Sequence, residues 1–349
     1  MARKQSDNIG CWWRTRNSAH YGRIVVRLIS RQFEDERLGQ IMTMPDYLRE
    51  LAAGVSNWGR WGADDRRGTL NLIDDAAIQR GMAAARQGKV FSLTYPFDED
   101  GPQLGFIPGR INPERTMISL NHSMTGDPGD FTSSDDAVSM GVQASTHLDS
   151  LAHVGYDGLL YNGLSDTTTN ETGATELGIE KVGAVMSRGI LLDIARLHGV
   201  DFFDEAYAIG ADDLEAAANK AGLKVLPGDI VCVRTGHMHW LREGNKVHYS
   251  YPTPGLGQKS IQWVRDNDVA IVATDTVVFE CYPPEDPAAM LPVHMINIRD
   301  IGLTQGQNWL LDELAADCAA DGQYDFMLTA TPLPFTRAVG APVAPTAIK

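Results

Sequence analysis

The sequence predicts an α/β fold: a single domain with a mixed β-sheet flanked by helices. Three observations predict it. Short runs rich in Val, Ile and Leu recur between residues 89 and 330, segments of helical period fit between some of them, and no linker, repeat or low-complexity stretch interrupts the chain after Pro45. The runs do not alternate strictly with helices, because the middle region carries consecutive strands and long Gly/Pro loops, so the sheet is mixed.

The elements follow in order. PDYLRELAAG (45–54) reads as a helix with Pro45 at its start and Gly54 at its end. DDAAIQRGMAAARQG (74–88) is a second, its acidic pair placed at the positive end of the helix dipole and Gly88 able to stop it. Strand-like runs follow at KVFSLTY (89–95), TMISLNH (116–122), GILLDIA (189–195), DIVCVRT (229–235), VAIVATD (269–275) and YDFMLTA (324–330). ADDLEAAANKAG (211–222) and NWLLDELAADC (308–318) read as helices between them.

Composition excludes more than it identifies. At 349 residues a chain buries a large core without staples. Its 30 Lys and Arg face 45 Asp and Glu, a net charge of −15, which argues against a nucleic-acid or anionic-membrane partner. Four scattered cysteines without a CxxC pair suit a reducing cytoplasm and exclude a cysteine zinc site. The charge is uneven: residues 1–43 hold eight basic and four acidic residues and form a basic N-terminal extension, expected to be disordered or to stem from a non-native start. The domain is therefore placed at 44–349.

Dense chemistry occurs in one stretch, VQASTHLDSLAHVGYDG, which holds Gln143, His147, Asp149 and His153. In an extended strand His147 and Asp149 point the same way and form half of a divalent-metal site. HxD is common, and by spacing alone a structural ion pair is the simpler reading. A further imidazole within reach changes that, and His294 and the TQGQNW segment (304–309) are the candidates.

This stretch resembles the signature HxGTHxDxPxH of the cyclase family of metal-dependent hydrolases, which includes kynurenine formamidase and isatin hydrolase. Thr146, His147, Asp149 and His153 match it, whereas Gln143, Ser145 and Leu151 replace its first His, its Gly and its Pro. Further pieces resemble the longer branch of the family in order, from NWGRWGADDRRGTLNLI (57–73) through GDIVCVRTG (228–236) to TPLPFTRAVGAPVAP (331–345). The resemblance implies the swivelling β/β/α fold, with His147 and Asp149 as metal ligands and His153 as proton donor and acceptor. By position, Gln307 completes the site, with Gln305 second. His294 resembles a ligand of a second metal and serves here as a ligand or as a group orienting one. Trp61 sits where a Trp shapes the substrate pocket.

The departures narrow the expectation. Gln143 offers a neutral carbonyl oxygen, a weaker candidate ligand than imidazole, and Gln307 cannot bridge two cations as a carboxylate can. One divalent metal per subunit is expected, Mn²⁺ or Zn²⁺, with a small-molecule carbonyl substrate: a lactam, a lactone or an N-formyl amide. The resemblance also implies a homodimer or homotetramer. Two other classes compete: an Fe(II) oxygenase using His147, Asp149 and His294, and a non-catalytic binding module that kept the fold.

Overall fold

Alternation of apolar side chains organises the chain around one sheet. The computed structural model describes residues 44–349, and the basic extension 1–43 lies outside the described residues. The strands that matter are β1 (Val90–Ser92), β2 (Glu114–Ser123), β3 (Thr132–Ser139), β4 (His147–Asp149), β5 (Met186–Asp193) and β6 (Ile230–Arg234). They continue with β7 (Ile271–Thr274), β8 (Thr304–Gln307), β9 (Asp325–Thr329), β10 (Gly340–Pro342) and β11 (Thr346–Ile348). Nine of them form one sheet in the order β1-β11-β9-β5-β6-β7-β8-β4-β10. β5, β6, β7 and β8 run parallel, and antiparallel neighbours extend the sheet on both sides.

Of the parallel strands, β5, β6 and β7 are apolar on both faces because both faces are covered. Ile190, Leu192, Val231, Val233 and Val272 join one core with the helices Asp46–Val55, Ala211–Lys220 and Ser260–Asp266. Leu191, Ile230, Cys232, Ile271 and Ala273 join the other, under the helix Asp312–Asp321. Helix Asp46–Val55 buries Leu48, Ala52 and Val55, one helical face. Helix Asp75–Ala84 is capped by the Asp74 carboxylate, which accepts the Ala77 N–H at 2.8 Å. None of the helices among the described residues is long and apolar enough to cross a membrane.

Two expectations shift. The run 116–122 is a strand, but β2 pairs only with β3 in a separate ribbon, leaving Ile118 and Leu120 69% and 71% exposed. The helix expected over 308–318 begins instead at Asp312, because the backbone N–H groups of Asn308 and Trp309 bond to Thr276 and Thr274 and prolong β8. Strands β4, β8 and β10 had no apolar-run signal. They read HLD, TQGQ and GAP, and are buried by their neighbours rather than by their own composition.

These short strands position the chemistry. β4 lies between β8 and β10, antiparallel to both, with His147 opposite Gln307 and Pro342 and with Asp149 opposite Gly340. Leu148 points to the other face, fully buried beside Trp309 and Ala341 in the second core. Leu148→Ala is expected to cost about 2–5 kcal/mol in urea denaturation, whereas Met82→Ala, on an exposed helical surface, should stay within about 0.5 kcal/mol.

Candidate functional site

β4 delivers His147 and Asp149 to one face, and the turn that follows, closed by the His153 N–H to the Ser150 carbonyl, brings His153 back towards them. β8 adds Gln307 from the adjacent strand. His294 arrives from the segment Pro292–Ile301, whose second part winds as a π-helix before β8. The sequence-predicted His147, Asp149, His153, His294, Gln307 and Gln143 therefore meet around one carboxylate.

That carboxylate, Asp149, is completely buried. Its Oδ1 lies 3.5 Å from His147 Nε2 and 3.7 Å from His153 Nε2. Gln143 Nε2 donates to Oδ1 at 3.2 Å, and Gln307 Nε2 donates to Oδ2 at 2.7 Å. Burial pushes the Asp149 carboxyl up, but the facing His153, His147 and His294 imidazoles, as they take up protons at lower pH, outweigh it and hold the group far below the usual carboxylate range. Asp149 is an anion at neutral pH.

The three imidazoles are not equivalent. His147 Nδ1–H donates to the Ser145 carbonyl at 2.7 Å, and His294 Nδ1–H donates to Glu280 Oε1 at 2.5 Å. Both rings thus turn a bare Nε2 inwards. Glu280 is itself fixed by the backbone N–H groups of Val293 and His294. His153 is held the other way: its Nδ1 accepts from the Gln143 amide at 2.9 Å, which leaves its proton on Nε2. Burial lowers the His153 pKa, against the pull of Asp149.

The donor chemistry fits one cation better than it fits none. A bare His147 Nε2 and a carboxylate oxygen face each other at 3.5 Å, two acceptors with no proton between them. Ligands sharing one ion at bonds of ~2.0–2.2 Å stand about 3.3 Å apart. Among the described residues no group of three or more His, Cys, Asp and Glu side chains is already drawn in to metal-binding distance, and Gln307 turns its amide nitrogen, not its oxygen, towards Asp149. For Gln307 to join Asp149 in holding a cation, its amide must turn over.

These groups form the floor of a cavity of ≈ 240 Å³, lined by His147, His153, His294 and Gln307. Its walls are mainly apolar, with Phe106, Ile107, Val154, Val277 and Leu291. Trp61 does not line it: the Trp61 ring lies beneath the Arg60 guanidinium, 4.8 Å from its centroid, and Arg60 is tied to Asp268. The expected pocket role of Trp61 is thereby corrected to packing against an ion pair. Gln305 is fully buried on β8 and does not line the cavity either. His237 is buried away from this cavity, its Nδ1–H on the Phe203 carbonyl.

A family model described as a putative cyclase matches residues 91–281. The chain belongs to the cyclase family. A crystal structure described as that of a novel cyclase is 38% identical, covers 85% of this chain and 99% of its own, and superposes with a TM-score of 0.78. Isatin hydrolase A from Labrenzia aggregata, bound to benzyl benzoate, is 16% identical with coverage of 74% and 93% and a TM-score of 0.57. The isatin hydrolase A of Ralstonia solanacearum is 16% identical, with coverage of 78% and 95% and a TM-score of 0.55. These two share the fold. The comparison with curated proteins returned no match.

Within this cyclase-family site, sequence reasoning missed the orienting role of Glu280, the cavity residue Arg110, and Gly340, where an added Cβ would stand 2.9 Å from the Gln143 side chain. Arg110 lies far from the signature and carries no motif; Glu280 ends the family-like segment ATDTVVFE (273–280), in which nothing shows that it orients His294. In the metal-free protein the His153 ring is expected to titrate by NMR below its ordinary 6.5. Stability from its neutral form is then present above that value and lost as pH falls through the folded-state midpoint. A midpoint at or above 6.5 would contradict this arrangement.

Proposed function

We propose that the protein is a metal-dependent hydrolase that opens a cyclic amide or ester, or cleaves an N-formyl amide, with one Mn²⁺ or Zn²⁺ per subunit. The observation that carries this reading is the buried Asp149 carboxylate facing the inward Nε2 atoms of His147 and His294 at the floor of an apolar cavity. His147, Asp149 and Gln307 would hold the ion, with His294 as a further ligand. When bound, such an ion polarises a carbonyl and acidifies water.

The chain's own groups divide the remaining work. His153 Nε2 faces Asp149 and the cavity; with the Gln143 amide turned over to accept from Nδ1–H, Nε2 is bare and placed to take the proton of the attacking water and return it to the departing nitrogen or oxygen. The water oxygen bonds to the carbonyl carbon, the C–N or C–O bond breaks, and a carboxylate and an amine or alcohol result. Gln143 we assign to His153 rather than to the metal, since its amide meets Nδ1. An amide serves either tautomer, donating to a bare Nδ1 or accepting from Nδ1–H. The apolar walls exclude water and suit a ring or short hydrocarbon body. Isatin hydrolases, which share this fold, support a cyclic amide as the first class to screen.

A second reading draws on the same convergence: two imidazoles and one carboxylate are also the ligand set of Fe(II) oxygenases. Oxygen-dependent turnover would select it. A metal-free protein with no response to Mn²⁺ or Zn²⁺ would select a binding module. Buried free thiols at Cys232, Cys281 and Cys318 support a reducing, cytoplasmic setting.

The β2–β3 ribbon we assign to self-association as a homodimer or homotetramer, because Ile118, Leu120, Met124, Phe131 and Val138 are exposed with no layer over them. Sedimentation should give a dimer or tetramer, and Ile118→Lys with Leu120→Lys should shift it to monomer. A wild-type monomer would refute the assignment. Lactams, lactones and N-formyl anilines assayed with each ion test the activity. His153→Ala should keep the ion but lower kcat about 10²–10⁴-fold, and Asp149→Asn should lose the ion. Metal loss in the first variant, or retention in the second, would reverse these roles.

A further inference from the structure

Arg110 lines the cavity wall beside the metal-site residues, and its guanidinium makes no hydrogen bond and no ion pair among the described residues. It is half-buried, its aliphatic stem fitted against Gly141, where an added Cβ would stand 2.8 Å from Arg110 Cγ. Burial lowers its pKa, and the one carboxylate it senses is Asp149. Asp149 is already committed to two amides and faces three imidazoles. The other lining residues are apolar, as Phe106, Ile107 and Val154 are, or neutral and polar, as Gln103, Ser250, Tyr251 and Tyr282 are, and none carries a negative charge. A guanidinium set in apolar surroundings with no counter-ion is costly unless a ligand supplies the anion.

Resting on the hydrolase reading above, we infer that Arg110 is a specificity-determining residue and that the substrate carries a carboxylate, separate from the carbonyl that is attacked. A planar guanidinium receives a carboxylate through two parallel N–H···O bonds, which fixes both position and orientation. With a divalent ion at the floor the cavity is cationic at both places, so a substrate with a carbonyl at one end and a carboxylate at the other complements it. The apolar walls between them accommodate the body of the molecule.

Two matched probe pairs test this on the full-length protein with its metal. In calorimetric titrations benzoate should bind the wild type at least about tenfold tighter than benzamide, the loss expected when a charged hydrogen-bonded pair is removed. Arg110→Gln and Arg110→Met, the latter preserving the stem on Gly141, should both erase that preference. Equal binding of the two probes by wild type, or a preference that survives both variants, would overturn the inference, the second by assigning the anion to the metal. In assays of 4-(formylamino)benzoate against formanilide, Arg110→Gln should lower the ratio of kcat/KM for the first to kcat/KM for the second about tenfold, through KM; an unchanged ratio would overturn the inference. If wild type cleaves neither, the N-formyl amide class is excluded, and the binding comparison still decides the role of Arg110.

Discussion

Everything at the site depends on keeping one carboxylate ionised where water does not reach. An isolated buried carboxylate costs several kcal/mol, and Asp149 has no accessible surface. Two amides donate to its oxygens, and three imidazoles surround it. Among the described residues no Lys or Arg pairs with it directly, unlike Asp229, which Arg188 neutralises by a two-pronged contact elsewhere in the fold. The partners at Asp149 are neutral, polar and arranged so that a cation would complete them. An ordinary buried ion pair would close the site to ligands; this arrangement leaves the charge available.

The sheet imposes that geometry from outside. β4 is only three residues long, yet it is clamped on both edges by β8 and β10, so the directions of His147 and Asp149 are set by two ladders. Leu148 anchors the strand from the opposite face. The ring orientations are set one layer further out, by the Ser145 carbonyl and by Glu280. Glu280 in turn is fixed by backbone N–H groups of the segment that carries His294. Each inward nitrogen is thus determined by a buried acceptor behind it, a division of labour common to metal sites.

Much of this was legible in the sequence, for identifiable reasons. The runs at 189–195, 229–235 and 269–275 declare themselves as central strands because a parallel sheet covered on both faces demands continuous apolar residues. His147 and Asp149 were legible because a strand's two-residue period places them together. The run 116–122 carries the same period yet faces solvent on its ribbon, since periodicity reports a pattern and not what covers it. Glu280 was legible as a strand-end residue that could face a cavity, but its hold on His294 was not, and Arg110 was illegible as a functional residue: no spacing rule predicts such contacts. Trp61 misled because a tryptophan near a signature is as readily a platform for Arg60 as a wall of a pocket.

The central claim is that the neutral donors around Asp149 enclose one cation. Crystals grown with Mn²⁺ or Zn²⁺ and measured at the absorption edge of the metal test it directly. The account predicts one anomalous peak per chain, bounded by His147 Nε2, Asp149 and Gln307, with the Gln307 amide oxygen turned inwards. Absence of a peak there, a pair of peaks, or a peak at another site in the chain would contradict it.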